Sequence, residues 1–258
     1  MTDLQIYEEI VRLTRGGEAS VLATVVESAG SSPRKAGAKM LVRGDGTIVG
    51  SVGGGRVELE TLAAAREVLA SGAPRTLSFT LTEEQGHVCG GRLLVYVEPT
   101  ALPPRLIVIG AGHVGTAVTS VAKFAGYRVL VADERPEYAD PARLPEAAAV
   151  FAGDPGAALE YFGVGADTAV VITTTGFEQD FAAVRAALAT PARYIGVIGS
   201  SRKREVLHQT LGAEGYGPEA LSRVTIPVGL PLGGDTPAEI AVSIVAQLIQ
   251  VRRTCSRP

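Results

Sequence analysis

Ile107-Val108-Ile109-Gly110-Ala111-Gly112-His113-Val114-Gly115 carries an apolar, β-branched run straight into Gly-x-Gly-x-x-Gly. A helical stretch follows, and a second apolar run, Arg128-Val129-Leu130-Val131-Ala132-Asp133, ends in an acid. This is the sequence form of a βαβ nucleotide-binding unit. Gly110 permits the tight turn, Gly112 lets backbone approach a phosphate, and Gly115 lets helix pack on strand. The amides of His113 and Val114 then open a helix whose N-terminus offers free N–H groups to an anion. Asp133 stands where a carboxylate accepts hydrogen bonds from ribose hydroxyls. It favours free hydroxyls over a 2′-phosphate, a preference that Arg135 nearby blunts.

Downstream of this unit, strand and helix signals alternate. Strands are expected over 149–152, 168–173 and 194–198, the last two as continuous apolar runs of the kind buried in a parallel sheet. Helices are expected over 156–162, 181–188 and 201–211, and a final one opens at Thr236-Pro237-Ala238-Glu239, a capping box with proline at the first helical position. Upstream, Pro99, Pro103 and Pro104 form a linker. Before it lie a helix over 3–15, a strand over 21–27, a hairpin about Gly44-Asp45-Gly46, a helix over 56–70 and strands over 76–80 and 92–97. The organisation is α/β: a mixed domain over 1–100, then a doubly wound parallel sheet over 104–258 with ligand at the carboxyl ends of its strands.

The balance of 24 Lys and Arg against 27 Asp and Glu, without a basic or acidic half, excludes a general binder of nucleic acid or membrane surface. Two cysteines, Cys89 and Cys255, point to a reducing compartment rather than a disulfide scaffold. Thr2-Asp3-Leu4-Gln5 reads as a capping box, not a signal peptide, and no apolar run is long enough to span a bilayer. A cytoplasmic protein is expected.

The first domain has its own glycine turn. Ser51-Val52-Gly53-Gly54-Gly55-Arg56 ends a strand and opens a helix, so successive amides form a candidate anion nest. Ser32, Arg34 and Lys39 flank it in sequence, and Arg56 sits in a first turn where the helix dipole disfavours a cation, a conflict that an anion would relieve. Cys89, flanked by Gly90 and close to His87, is either an accessible soft nucleophile and ligand or a small buried apolar residue. Farther on, Arg202, Lys203 and Arg204 open a helix where an anion or acidic partner would explain them, or they form a solvated first turn. Thr173-Thr174-Thr175-Gly176 ends a strand and either binds sugar and phosphate or caps the strand.

Taken in order, Gly30 to Arg34, Gly37 to Met40, Gly50 to Glu58, Cys89-Gly90-Gly91, Gly110 to Gly115, Tyr194 to Ser200, Arg202 to Arg204 and Gly234 to Ala241 resemble the XdhC/CoxI family of xanthine dehydrogenase accessory proteins over nearly the whole chain. The resemblance implies a Rossmann-like second domain. It also implies a maturation factor that binds molybdenum cofactor (molybdopterin, with or without its nucleotide extension), supports its sulfuration and hands it to an apo molybdenum hydroxylase. A cysteine desulfurase would be the sulfur donor, and a homodimer is compatible with this role. Some relatives carry Cys where this chain has Arg56, which shifts the candidate molybdenum ligand to Cys89. Such a protein is a chaperone rather than a catalyst of turnover. Two other readings stay open: an NAD-dependent oxidoreductase, which offers no acid–base group beyond His113, and a regulatory sensor of NAD or AMP.

Overall fold

The structure, a computed structural model, describes residues 2–30, 32–81 and 91–254. The chain divides into two compact units, residues 1–103 and 104–258.

In the first unit α1 (Asp3–Gly16) precedes β1 (Ser20–Ala29), β2 (Lys39–Arg43) and β3 (Ile48–Gly50). Then come α2 (Gly55–Ser71), β4 (Arg75–Leu81) and β5 (Gly91–Pro99). The strands form an antiparallel sheet in the order β3-β2-β1-β5-β4. Strand residues alternate between faces. Met40 and Val42 therefore join Val21, Ala23 and Val25 under Val57, Ala65 and Val68 of α2, while Leu41 and Val49 turn to Ile6 and Leu13 of α1. Asp45 makes the hairpin turn by accepting the Thr47 N–H at 2.9 Å. Gln5 Oε1 accepts the Thr2 N–H at 3.0 Å in the expected capping box of α1.

The second unit runs β6 (Arg105–Ile109), α3 (His113–Phe124), β7 (Arg128–Asp133), β8 (Ala149–Ala152), α4 (Pro155–Phe162) and β9 (Thr168–Ile172). It continues through α5 (Phe177–Leu188), β10 (Tyr194–Val197), α6 (Ser201–Ala213), α7 (Pro218–Ser222), β11 (Val224–Thr225) and α8 (Pro237–Thr254). All six strands are parallel, in the order β11-β10-β9-β6-β7-β8. This is the doubly wound sheet expected from the sequence. Its order reverses between β6 and β9, so the loops that follow them part and leave a crevice at the carboxyl edge.

One face of the sheet packs Ile107, Val170 and Ile195 against Leu159, Phe181, Val184 and Leu207 of α4, α5 and α6. The other packs Leu106, Val108 and Val171 against Val118 of α3 and Ile244 and Leu248 of α8. Glu239 Oε2 accepts the Thr236 N–H at 3.0 Å, and Thr236 Oγ1 accepts the Glu239 N–H at 3.3 Å, so the expected capping box opens α8. The five-residue α7 and two-residue β11 are additions to the sequence reading. Among the described residues no helix is long and apolar enough to cross a membrane.

Candidate functional site

Ile109 pairs with Ala132 on β7 and with Ile172 on β9, so these strands end level and bring Gly110, Asp133 and Thr173 side by side. The Gly110 N–H donates to Ala132 O at 2.7 Å, and Thr173 Oγ1 donates to Gly110 O at 2.8 Å. Gly110 has φ +103°, and a Cβ there would lie 2.8 Å from the Thr173 carbonyl. A Cβ on Gly115 would lie 1.9 Å from Gly110 O. Both positions are closed to a side chain by the fold's own packing. Gly112 is different: its φ is −70°, which any residue adopts, and a Cβ there would meet nothing within 4 Å. Gly112 N-caps α3 with no side-chain cap, although Asp154 caps α4 and Ser200 caps α6. The first-turn amides of α3 thus lack a side-chain acceptor, with His113 exposed and Val114 half-buried beside them.

Asp133 is buried and already engaged. Its Oδ2 accepts the Ala111 N–H at 2.7 Å and Arg135 Nη2 at 2.8 Å. Its Oδ1 accepts the Arg135 backbone N–H at 3.0 Å and Nε at 2.8 Å. A carboxylate has about four acceptor positions, and all are filled by the chain itself. Burial pushes this carboxyl up, but the Arg135 side chain and the two amides together outweigh it and hold the group below the usual aspartate value. The Arg135 guanidinium also lies over the Tyr138 ring, with Cζ 3.7 Å from the centroid. The residue expected to meet ribose therefore ties the glycine loop to a stacked arginine.

A cleft open to solvent lies at this edge and is lined by Gly110, Asp133, Glu134, Arg135, Gly153, Pro155, Thr174 and Gln179. Gly153, Pro155, Gln179 and Tyr138 are additions to the residues singled out from sequence. Gly153-Asp154-Pro155 did carry a signal, a glycine after a strand followed by an N-cap acid and an N1 proline. Thr174 Oγ1 donates to Asp180 Oδ1 at 2.6 Å. Buried Asp180 also pairs with Lys203 Nζ, which donates to Ile198 O at 2.9 Å. Lys203 thus has its acidic partner inside the fold, while Arg202 and Arg204 are exposed.

In the first unit, Gly53, Gly54 and Gly55 have φ of 146°, 76° and 55°, a left-handed run that favours glycine. Pro33 Cγ would lie 3.0 Å from a Cβ on Gly53, which places the β1–β2 loop, with Ser32 and exposed Arg34, against this turn. The Gly53 N–H donates to Ser51 Oγ at 3.2 Å, and that hydroxyl donates to Glu58 Oε1, so a carboxylate of the chain closes the turn. Arg56 Nε pairs with Glu60 Oε1 at 2.5 Å, an i,i+4 contact that offsets its conflict with the helix dipole. Lys39 turns to α1: its Nζ lies 2.9 Å from Gly37 O, 3.6 Å from Asp3 Oδ2 and 5.9 Å from the Tyr7 centroid. Beyond Gly55 an apolar hollow open to solvent is lined by Met40, Ile48, Glu58, Leu59 and Leu62, with Leu59 70% exposed. Cys89, His87 and Cys255 lie outside the described residues. Among the described residues no group of three or more His, Cys, Asp or Glu could hold a metal ion.

Strand order and fingerprint loop define the second unit as a Rossmann-type nucleotide fold. Residues 106–248 match the XdhC Rossmann domain, and residues 13–80 match the XdhC and CoxI family. The chain belongs to the XdhC/CoxI family. It is similar to the Escherichia coli K12 protein YqeB, at 33% identity over 96% of this chain and 46% of YqeB. It is also similar to the molybdenum cofactor insertion chaperone PaoD of Escherichia coli K12, at 25% identity over 94% of this chain and 86% of PaoD. A crystal structure of a Bacillus halodurans protein described as a xanthine dehydrogenase superposes with a TM-score of 0.55 at 26% identity, covering 100% of this chain and 98% of that one. The chain spans under half the length of YqeB.

Proposed function

We propose that this protein binds molybdenum cofactor, supports its sulfuration, and delivers it to a molybdenum hydroxylase of the xanthine dehydrogenase type. Family membership and the likeness to PaoD support the reading. The observation that carries the binding step is Gly112: a Cβ there would meet nothing within 4 Å, and the position opens onto the uncapped amides of α3. Keeping that space clear serves a guest that brings a phosphate against the backbone. The second unit therefore takes the phosphate and nucleotide part of an extended cofactor, or AMP or NAD as separate ligands. In the first unit, the apolar hollow lined by Gly55 and Glu58 suits a flat heterocycle, and Ser32, Arg34 and the glycine turn are the groups assigned to its polar substituents. Cys89 is the thiol assigned to the molybdenum centre, a soft ligand for a soft site. A cysteine desulfurase as sulfur donor, an apo-hydroxylase as recipient and a homodimeric state complete the proposal.

The test is retention. Purified protein is incubated without air with molybdenum cofactor, passed through gel filtration and assayed for bound molybdenum and pterin. Co-elution that is lost in Cys89→Ala and kept in Cys255→Ala is the expected result. No retention by the unaltered protein overturns the reading.

A further inference from the structure

The ribose edge of the cavity in the second unit has an unusual allocation of donors and acceptors. Both oxygens of Asp133 are filled, two bonds each, by Ala111 and Arg135. The carboxylate has no acceptor position left for a sugar diol unless Arg135 leaves. Arg135 in turn has given its Nε and Nη2 edge to Asp133, so the fork that would grip a phosphate is already in use. One face of its guanidinium covers Tyr138. Arg135 lines the cavity, and the Tyr138 ring that braces its guanidinium is not among the lining residues. The part of Arg135 left for a ligand is a flat cationic face, held at its edge by Asp133 and braced by Tyr138. The same cavity is lined by Gly153, which has no side chain, and Pro155, whose ring is apolar.

We propose that Arg135 is the base-stacking plate of this site, which selects its ligand by the nucleobase and not by a diol contact to Asp133. The inference rests on the nucleotide-binding reading of the second unit and deepens it. A planar cation attracts an aromatic face, and the attraction grows with ring overlap, so a purine nucleotide is favoured over a pyrimidine one. Fixing the plate beforehand removes the ordering cost that a free arginine would bear on binding.

The experiment is calorimetry on the full chain with AMP, 2′-deoxy-AMP, CMP and ribose 5-phosphate. AMP and 2′-deoxy-AMP are expected to bind within about twofold of each other, CMP more weakly, and ribose 5-phosphate weaker than AMP by roughly tenfold or more. Arg135→Lys keeps the charge and removes the plane, so it should shrink the AMP advantage over ribose 5-phosphate several-fold while ribose 5-phosphate itself is little changed. Tyr138→Ala, which leaves the Asp133 contacts in place, should shrink it in the same direction, and a melt of each variant confirms folding. A tenfold preference for AMP over its deoxy form, or a base advantage that survives both substitutions, overturns the proposal while leaving nucleotide binding intact. Binding of none of the four ligands overturns the nucleotide reading itself, and this inference with it.

Discussion

A Cβ at Gly115 would sit 1.9 Å from Gly110 O, whereas one at Gly112 meets nothing within 4 Å. Two glycines of one fingerprint therefore answer to different demands, and substitution separates them. Gly115→Ala forces α3 away from β6 and should cost about 2–3 kcal/mol or more, the range of core overpacking, seen as a lower midpoint in urea. Gly112→Ala, at an N-cap where alanine is poorer than glycine, should cost only about 1 kcal/mol and weaken AMP about tenfold by crowding the phosphate. Equal AMP affinity in Gly112→Ala would show that no ligand approaches there. Asp133 supplies a second residue-scale outcome. Its folded value is depressed, so the stability it contributes is fully present above the ordinary carboxyl range near pH ~4 and is lost as pH falls through the lowered folded value. Asp133→Asn should be less stable than the unaltered protein at neutral pH. Denaturation midpoints taken from pH 7 down to pH 3 should bring the two together, and a gap that does not narrow would deny Asp133 this role.

Helix ends at the carboxyl edge are tied by a chain of contacts: Thr174 after β9 reaches Asp180 in α5, and Asp180 pairs with Lys203 in the first turn of α6. Nearly all of this lies away from water, and its worth depends on both partners being present. Breaking a buried ion pair by removing one charge strands the other and costs about 3–5 kcal/mol. Asp180→Asn should therefore destabilise the second unit by an amount of that order, and Lys203→Met in the same chain should recover much of the loss. Thermal melts of the two single variants and the double variant form the cycle. Additive losses would mean that the pair is not coupled. The sequence left Lys203 open between an anionic or acidic partner and a solvated first turn, and could not name Asp180 as that partner. The pair exists because β9 and β10 run parallel and in register, which brings the ends of α5 and α6 together. The Arg56–Glu60 pair, by contrast, stands at i,i+4 on one helix and was readable from spacing alone.

At the scale of the whole molecule, order along the chain was legible because period and punctuation agree. Ile107 to Gly115 had both the β-branched run and the glycines, and Thr236 to Glu239 had a capping box with its proline. The stretch 218–225 was silent, since five helical residues and a two-residue strand are too short to show a period. The site was legible in its residue types and not in its allocation. Asp133 was placed at the correct strand end, but whether its oxygens are free depends on how Arg135 folds back two residues later, and Tyr138 supports that fold by a contact no spacing rule encodes. Because these contacts all lie between residues 104 and 258, the second unit holds its sheet, both of its core clusters and its whole cavity within itself. Its length falls in the ordinary range for an independent domain. Residues 104–258 expressed alone should therefore melt in one cooperative transition and bind AMP within about threefold of the full chain's affinity. A fragment that folds yet loses AMP would place part of the nucleotide's binding energy on residues 1–103, and the assignment of the site to Gly112 and Arg135 would then be incomplete.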